Sequence, residues 1–301
     1  MFIEKKQKRN YHAKMETFEL RYFFAVASHE NLRRAATDLA VSPGSLSKAV
    51  SRLEDELGVP LFTRVSRNIR LTDSGRILQQ RAAEILRLTE ATKAEIKGQE
   101  ARLRVRAVGP EVLLTKVGRD LAATVHKVHP LAVFEFVAAS EPETIAKVRR
   151  GEAHIGLVTT STPAALKAKT LFDTTFQTCV GRGHPLFRRA QAGSSVPIEE
   201  LLKFPFVCPE RSVLGEMGAA QAADGWRDDK FPRRIDFTTT SLQLLTDLVT
   251  NGGAVAYLPD YVVEQIPVAV LKMTGCPYTC KQTVRMIAFK PETAGWLARL
   301  F

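Results

Sequence analysis

The sequence predicts an α/β protein of at least two domains, and three observations lead to this fold class. Residues 35–57 contain two short helical segments joined by a tight turn. A long helical pattern begins near residue 73. From residue 102 onward, strand-like and helix-like segments alternate, which is typical of a parallel sheet with crossover helices. With 301 residues, 45% of them hydrophobic, the chain is too long for one ordinary domain and can bury a substantial core.

The basic charge of the chain is spread over its whole length. The net charge is +11; residues 1–100 carry 18 Lys and Arg against 13 Asp and Glu, and residues 101–301 carry 25 against 19. Basic proteins also meet acidic partners or simply stay soluble. Charge alone therefore supports DNA binding only weakly.

Cysteine usage and hydropathy indicate a cytoplasmic protein. Cys179, Cys208, Cys276 and Cys280 are too few and too unevenly placed for a disulfide framework, and their spacing fits neither a redox pair nor a zinc site. No run approaches 18 apolar residues, so we predict no membrane contact. The basic segment 5–9 is not followed by an apolar signal region. Residues 1–14 are expected to be a disordered extension or to result from an early start codon, with a DNA-binding arm as the alternative.

The segments before residue 42 predict the first two helices of a three-helix core. Residues 17–29 form the first helix. Its buried side is expected to consist of Phe18, Phe23, Phe24, Val26 and Ala27. Asn31 is expected to cap the helix over residues 32–40, with Arg33 and Arg34 in its first turn. Cations there oppose the helix dipole, which a nearby DNA phosphate would explain, although exposed arginines are common.

Ser42 and Pro43 provide an N-cap and a first-position proline for the third helix. One face of this helix is apolar, with Leu46, Val50, Leu53 and Leu57. The other face carries Ser47, Lys48, Ser51 and Arg52. Small polar and basic residues suit insertion into a DNA groove; an ordinary helical hairpin is the alternative. The acidic residues 54–56 would repel the DNA backbone, so we expect the helix to enter by its Ser42 end.

Residues 59–71 alternate between apolar and basic side chains, which predicts a two-stranded wing with its turn at 66–68. The residues expected to face the core are Phe62, Val65, Ile69 and Leu71. Arg64, Arg67 and Arg70 are expected to face outward along one ribbon edge, where they can contact phosphate or the minor groove. A solvated edge protected by its charge is the alternative.

Residues 18–75 resemble the N-terminal winged helix-turn-helix domain of the LysR-type transcriptional regulators. The matching residues are Phe24-Ala25-Val26-Ala27, Ala35-Ala36, Leu39, Val41-Ser42, Leu46-Ser47, Leu53-Glu54, Leu57-Gly58, Leu61-Phe62, Arg64, Leu71-Thr72 and Gly75. The chain departs from the family at Pro43 and Gly44, where a Gln and a small polar residue are usual. Neither side chain can donate to a base, so sequence preference is expected to rest more on Ser42, Ser45 and DNA shape. The predicted DNA contacts are Arg33, Arg34, Ser42, Pro43, Gly44, Ser45, Ser47, Lys48, Arg52, Arg64, Arg67 and Arg70.

A long helix is predicted from Thr72 or Asp73 to about residue 97. Its 4-3-4-3 apolar seam suits pairing with the same helix of another subunit. The residues predicted to dimerise are Leu78, Ala82, Ile85, Thr89 and Ile96. In the resembled family this helix does dimerise and leads into a sensor.

The alternating segments 103–107, 111–127, 133–137, 143–150 and 155–158 predict a β-α-β-α-β unit. Further strands are predicted at 177–181, 206–208, 235–238, 254–258, 268–271 and 284–289, with helices at 242–250 and after Pro291. This region resembles the two-lobed effector domain of the same family, similar to periplasmic solute-binding proteins. The supporting motifs include Gly151, His154-Ile155-Gly156-Leu157, His184-Pro185-Leu186 and Gly252-Gly253-Ala254. The resemblance implies domains at 15–72, 73–100 and 101–301, with lobe one at about 102–175 plus 281–301 and lobe two at 176–280.

Polar residues follow several of the predicted strands. In an open α/β sheet the carboxyl ends of strands and the helix N-termini face one crevice. The resemblance places these loops around an effector cleft and implies the effector-binding residues Gly109, Pro110, Glu111, Ser140, Thr159, Thr160, Thr239, Thr240 and Ser241. Each could instead be an N-cap or a loop residue. Glu111 would repel a carboxylate if it pointed inward, so the charge of the ligand stays open.

We predict a sequence-specific, DNA-binding transcriptional regulator controlled by a small-molecule effector of unknown identity. The expected partners are double-stranded DNA, the effector, a second copy of the chain in a homodimer or homotetramer, and RNA polymerase. The alternatives are a solute binder or enzyme with an appended helical domain and a structural DNA binder without an effector. No nucleotide-binding, metalloprotease or hydrolase motif is found, and the six histidines form no convincing cluster. We therefore predict no catalytic residue, no metal and no cofactor.

Overall fold

A computed structural model describes residues 15–65, 68–96, 103–210 and 213–301. The chain forms two compact units. One holds the chain before Leu103 together with Arg150–Glu152, and the other holds Leu103–Arg149 and Ala153–Phe301. The predicted extension at 1–14 lies outside the described residues.

The described residues of the first unit form four helices and a two-stranded ribbon. Their bounds are α1 Thr17–His29, α2 Leu32–Asp38, α3 Pro43–Leu57, β1 Phe62–Val65, β2 Asn68–Leu71 and α4 Asp73–Ile96. The predicted caps are confirmed: the Asn31 side chain accepts from the amides of Arg33 and Arg34, and Ser42 accepts from the amide of Ser45. Thr72 Oγ1 accepts from the amide of Gly75 at the start of α4.

The core of the first unit is built from α1, α3, the wing and the start of α4. Phe23, Leu53 and Leu61 are fully buried in it. Two predicted core residues are wrong: Phe18 is 48% exposed and Leu57 is 42% exposed. Leu20, on the adjacent side of α1, is buried instead of Phe18.

The wing is an antiparallel pair in which Arg64 lies opposite Ile69 and Thr63 lies opposite Arg70. Directly paired residues share a face of a ribbon, and successive residues alternate between faces. Arg64 and Arg70 therefore lie on opposite faces, and the prediction of a single arginine edge is wrong. Both side chains are exposed. Arg67 lies outside the described residues.

Two of the five predicted dimerisation residues belong to the core of their own chain. Leu78 and Ala82 pack in the same cluster as Phe23 and Leu53, and Ala82 is fully buried. Because α4 packs on α1, this part of the seam has no surface left for a partner, which corrects the prediction. Ile85 and Ile96 are exposed and Thr89 is half-buried.

The second unit is an α/β domain. Its helices are α5 Glu111–His126, α6 Glu141–Arg149, α7 Phe187–Gln191, α8 Ile198–Leu201, α9 Leu242–Thr250, α10 Asp260–Val263 and α11 Gly295–Ala298, with a 3-10 helix at Pro291–Thr293. Its strands are β3 Arg104–Gly109, β4 Val133–Ala138, β5 Ile155–Val158, β6 Lys167–Gly181, β7 Ser195–Pro197, β8 Pro205–Pro209, β9 Arg234–Thr239, β10 Ala256–Pro259, β11 Val268–Val270, β12 Lys272–Thr274 and β13 Lys281–Ala288.

The predicted β-α-β-α-β unit is confirmed, with β3 parallel to both β4 and β5. The seven-stranded sheet has the order β10-β6-β13-β5-β3-β4, with β11 also paired to β6. Only the second part of β6 was predicted, because its first residues, including Lys167 and Lys169, are exposed and lack an apolar alternation.

The strands β6 and β13 connect two halves of this domain. Lys281 pairs with Thr175, so the two points at which the sequence predicts the chain to cross between lobes are neighbours. Lobe one consists of β3, β4, β5, β13 and the first part of β6. Lobe two is the rest of β6 with β8 to β11, in which β8 runs parallel to β9.

Candidate nucleic-acid interface and effector site

The N-terminus of α3 presents small side chains to solvent. Ser42 Oγ lies 3.1 Å from the amide nitrogen of Ser45 and 2.8 Å from its hydroxyl oxygen. The two hydroxyls therefore form a hydrogen bond with each other, and Ser42 Oγ also accepts from an amide at the start of the helix. Pro43, Gly44 and Ser47 are also exposed. This end of the helix has no bulk that would keep it from a DNA groove.

Five of the predicted DNA contacts are exposed cations. In the described part of the chain, no carboxylate forms an ion pair with the predicted contacts Arg33, Arg34, Lys48, Arg64 and Arg70, and all five are exposed. Arg52 differs, because its Nη1 lies 3.6 Å from Glu19 Oε1, an acid buried in α1. A cation without a carboxylate partner can bind phosphate, whereas Arg52 already forms an ion pair within its own chain.

The predicted effector residues at the end of β3 have different environments. Gly109 lies against β5, where a Cβ would stand 3.0 Å from Leu157 O, and Pro110 is buried. Glu111 is exposed and lines a cavity of about 220 Å³ between α5, α9 and α10. Gly109 and Pro110 therefore shape the backbone, and only Glu111 reaches a cavity.

The hydroxyls at the end of β9 act as helix caps. Thr239 Oγ1 accepts from the amide of Ser241, and Ser241 Oγ accepts from the amide of Leu244 at the start of α9. Thr240 is exposed, and so is Ser140, whose carbonyl accepts from the amide of Thr144. None of these four residues lines the cavity at Glu111 or the cavity beside Thr159 and Thr160.

Thr159 and Thr160, at the end of β5, converge on a buried carboxylate that is not among the predicted site residues. Glu141 is 0% exposed. Its Oε1 accepts from Thr159 Oγ1 at 2.6 Å and from the amide of Glu216 at 3.1 Å. Its Oε2 accepts from Thr160 Oγ1 at 2.7 Å and from the Thr160 amide at 2.9 Å. We call these four donors the carboxylate cradle.

A cavity of about 320 Å³ adjoins the carboxylate cradle. Its lining includes Thr159, Thr160, Glu216, Gln221, Lys281 and Arg285. Arg285 Nη1 donates to the carbonyls of Thr159 and Thr160, 3.0 and 3.4 Å away, and Arg285 follows a β-bulge in β13. Bulges often re-aim a side chain near a functional site. Charged, hydroxyl and amide side chains thus reach this cavity from β5, from β13 and from the segment around Glu216.

A weak signal for these residues exists in the sequence. Glu141 directly follows Ser140, but its helix was predicted to begin at residue 143. Arg285 belongs to the alternating run Lys281, Thr283, Arg285 in the last strand. Thr159 lies 18 residues from Glu141 and 126 residues from Arg285, so no local pattern identifies the roles of these two side chains.

Three of the four thiols are buried in the folded protein. Burial raises the pKa of Cys179 and of Cys208 to about 12, and burial raises the pKa of Cys280 to about 11. Cys276 is half-buried. Because the thiolate is the reactive form, these environments do not favour oxidation of the three buried thiols.

Neither a metal centre nor a membrane span is found in the part of the chain that the structure describes. No group of three or more His, Cys, Asp or Glu side chains there is placed to hold an ion. None of the described helices combines the length and apolar character needed to cross a bilayer.

Two family models match the chain. Residues 18–76 match a model described as bacterial regulatory helix-turn-helix protein, lysR family, and residues 98–286 match one described as LysR substrate binding domain. The hydrogen peroxide-inducible genes activator of Dickeya chrysanthemi is 27% identical over 83% of this chain and 81% of its own length. The Hca operon transcriptional activator HcaR of Escherichia coli is 29% identical over 82% of this chain and 83% of its own length.

Solved structures show the same fold. Full-length OxyR from Pseudomonas aeruginosa superposes with a TM-score of 0.61 at 24% identity, covering 96% of this chain and 95% of that chain. LysG from Corynebacterium glutamicum, solved with bound effector Arg, superposes with a TM-score of 0.58 at 19% identity, covering 95% of each chain. With the winged helix-turn-helix unit, the α/β unit and the two family matches together, the chain belongs to the LysR family of bacterial transcriptional regulators.

Proposed function

We propose that this regulator binds specific DNA sites as a homodimer or homotetramer in the cytoplasm and responds to a small-molecule effector bound between its two lobes. It would act on transcription through contact with RNA polymerase. The observation that carries the DNA-binding part is the exposure of five predicted contacts, Arg33, Arg34, Lys48, Arg64 and Arg70, none of which forms an ion pair with a carboxylate of the described residues. Counterion release from phosphates gives cations of this kind a large share of their affinity for DNA.

The roles within the interface follow from the chemistry of each residue. Ser42, Pro43, Gly44, Ser45 and Ser47 allow close approach to base edges. The cations Arg33, Arg34, Lys48, Arg64 and Arg70 are assigned to phosphates, with Arg67 in the same role on the wing. Arg52 contributes less, because it already neutralises Glu19.

Salt dependence of DNA binding tests this assignment. Full-length protein with Arg64→Ala should bind an operator fragment from its own promoter region more weakly, and the slope of log affinity against log salt should be smaller by about one. Lys230→Ala removes one exposed cation of lobe two and serves as the control for net charge. An unchanged slope in Arg64→Ala would remove Arg64 from the phosphate contacts.

The effector part of the proposal rests on the cavity of about 320 Å³ at the lobe junction. Its polar lining comes from β5 and β13 of lobe one and from the segment around Glu216 of lobe two, so a ligand there would contact both lobes. A ligand shifts a conformational equilibrium only by its unequal affinity for the two states. A compound that changes operator affinity in the full-length protein, and loses that effect in Arg285→Ala, would support this site.

Self-association is assigned to the part of α4 that its own domain leaves exposed. Ile77, Leu88 and Ile96 are 64%, 65% and 81% exposed. They are separated by about three turns and then about two turns, which places them on one side of the helix. Together with the predicted Ile85, they form an apolar strip that suits pairing between two copies.

A further inference from the structure

Glu141 is a buried carboxylate that is satisfied entirely by uncharged donors. Both of its oxygens accept two hydrogen bonds, from two hydroxyls and two amides. No Lys, Arg or His of the described residues forms an ion pair with it. Donors that converge in this way on two oxygens form an anion site, and the anion here is supplied by the chain itself.

The position of Glu141 in the chain reinforces this geometry. It is the first residue of α6, a nine-residue helix, and Pro142 follows it. The N-terminal end of a helix dipole favours negative charge, and Pro142 has no amide N–H to leave unsatisfied. The exposed neighbour Glu143 is turned away and pairs with Lys147 across one helical turn.

One of the four donors comes from the other lobe. The Glu216 amide belongs to lobe two, and the carbonyl of Glu216 accepts from Gln282 Nε2 on β13 at 3.1 Å. Gly215 has φ +92°, and a Cβ there would lie 3.2 Å from Glu141 Oε1. Glycine is therefore needed for the lobe-two segment to approach the carboxylate this closely.

We infer that Glu141 is a specificity-determining residue, a tethered carboxylate that occupies the anion subsite of the effector cavity and joins the two lobes there. This inference rests on the proposed effector function, because the cradle and the cavity share Thr159, Thr160 and Glu216. Effectors of the wild-type protein place no carboxylate in the cradle. A free carboxylate can enter only when the side chain of Glu141 is removed.

Thermal unfolding of the full-length protein in potassium acetate and in potassium chloride of equal ionic strength tests the inference. In Glu141→Ala, acetate fits the space left by the side chain and can enter from the adjoining cavity. The variant should have a lower Tm than the wild type in chloride. Acetate should raise it saturably, as expected for a ligand bound by the folded state alone. The wild type and the control Glu143→Ala should show no difference between the two salts.

Equal Tm values of Glu141→Ala in acetate and chloride would overturn the inference, as would an acetate effect of the same size in the wild type. If Glu141→Ala does not fold in chloride, the variant can be purified in acetate and then dialysed into chloride. The expected result is a loss of folded protein after the change of salt. Glu141→Gln retains the volume of the side chain and should not respond to acetate. None of these measurements uses DNA or an effector, so a failure of the proposed function leaves their outcome unchanged.

Discussion

The carboxylate of Glu54, near the end of α3, accepts a hydrogen bond of 2.7 Å from the amide of Leu61, which leads into the wing. The same oxygen accepts from the amide of Phe62 at 3.1 Å. Glu54, one of the acidic residues predicted to orient α3 on DNA, therefore also connects the wing to that helix.

Glu54→Ala should lower the free energy of unfolding by about 1–3 kcal/mol, because it leaves two partly buried amides without their acceptor. Asp55→Ala, at an exposed neighbouring position, should change it by less than about 0.5 kcal/mol. Urea unfolding of both variants measures the difference. Equal stabilities would mean that these hydrogen bonds do not hold the wing.

Gly75→Ala should destabilise the DNA-binding unit by about 1–3 kcal/mol or more. A Cβ at Gly75 would lie 2.1 Å from the carbonyl oxygen of Leu61, so the backbone must shift. Gly44→Ala offers the opposite case, because its Cβ would meet only Ser42 Oγ at 3.8 Å. In α3 that substitution should stabilise the helix by up to about 1 kcal/mol. Tm values that fall equally in the two variants would contradict the packing at Gly75.

Acid should destabilise the second unit through His184. Burial lowers the pKa of His184 from its usual 6.5, and its Nδ1 accepts from the amide of Leu186. The unfolded chain thus binds more protons as the pH falls through 6.5, and stability declines until the pH passes below the folded pKa. His184→Asn, which retains an acceptor oxygen, should flatten the decline in urea titrations between pH 7 and 5. Parallel curves for the two proteins would refute this.

Hydrogen peroxide should leave operator affinity unchanged, although one relative is a hydrogen peroxide-inducible genes activator. The raised pKa values of Cys179, Cys208 and Cys280 hold these thiols protonated near neutral pH. Binding assays with and without excess peroxide test this, and Cys276→Ser removes the half-buried thiol. Protein unfolded in urea should react under the same conditions. A peroxide-dependent change of affinity in Cys276→Ser would show that a buried thiol is reached.

Leu88→Lys should weaken self-association roughly ten- to a hundredfold without changing the Tm of the monomer. Burying an exposed leucine at an interface is worth about 1.5–3 kcal/mol. Sedimentation equilibrium measures the dissociation constant. Ala82→Lys should instead unfold the DNA-binding unit, because Ala82 is fully buried in its own chain. An unchanged dissociation constant in Leu88→Lys would move the interface elsewhere.

Elements that depend on neighbouring residues can be predicted from the sequence. Asn31, Ser42 and Thr72 cap their helices as expected, because the groups that a cap satisfies lie two or three residues away. The alternation of strands and helices after residue 102 likewise predicted the parallel β3, β4 and β5. The resemblance of residues 18–75 to the LysR family is likewise based on matching residues along one continuous segment, and it is confirmed.

The surfaces that these elements leave free depend on tertiary packing. Leu78 and Leu88 both look like members of an apolar seam, but α1 covers Leu78 and leaves Leu88 exposed. The register of the wing separates Arg64 from Arg70. Glu141 meets donors 18 and 75 residues further along the chain. Helical periodicity encodes which residues share a face, whereas the partner of that face depends on packing between distant segments, which no local pattern specifies.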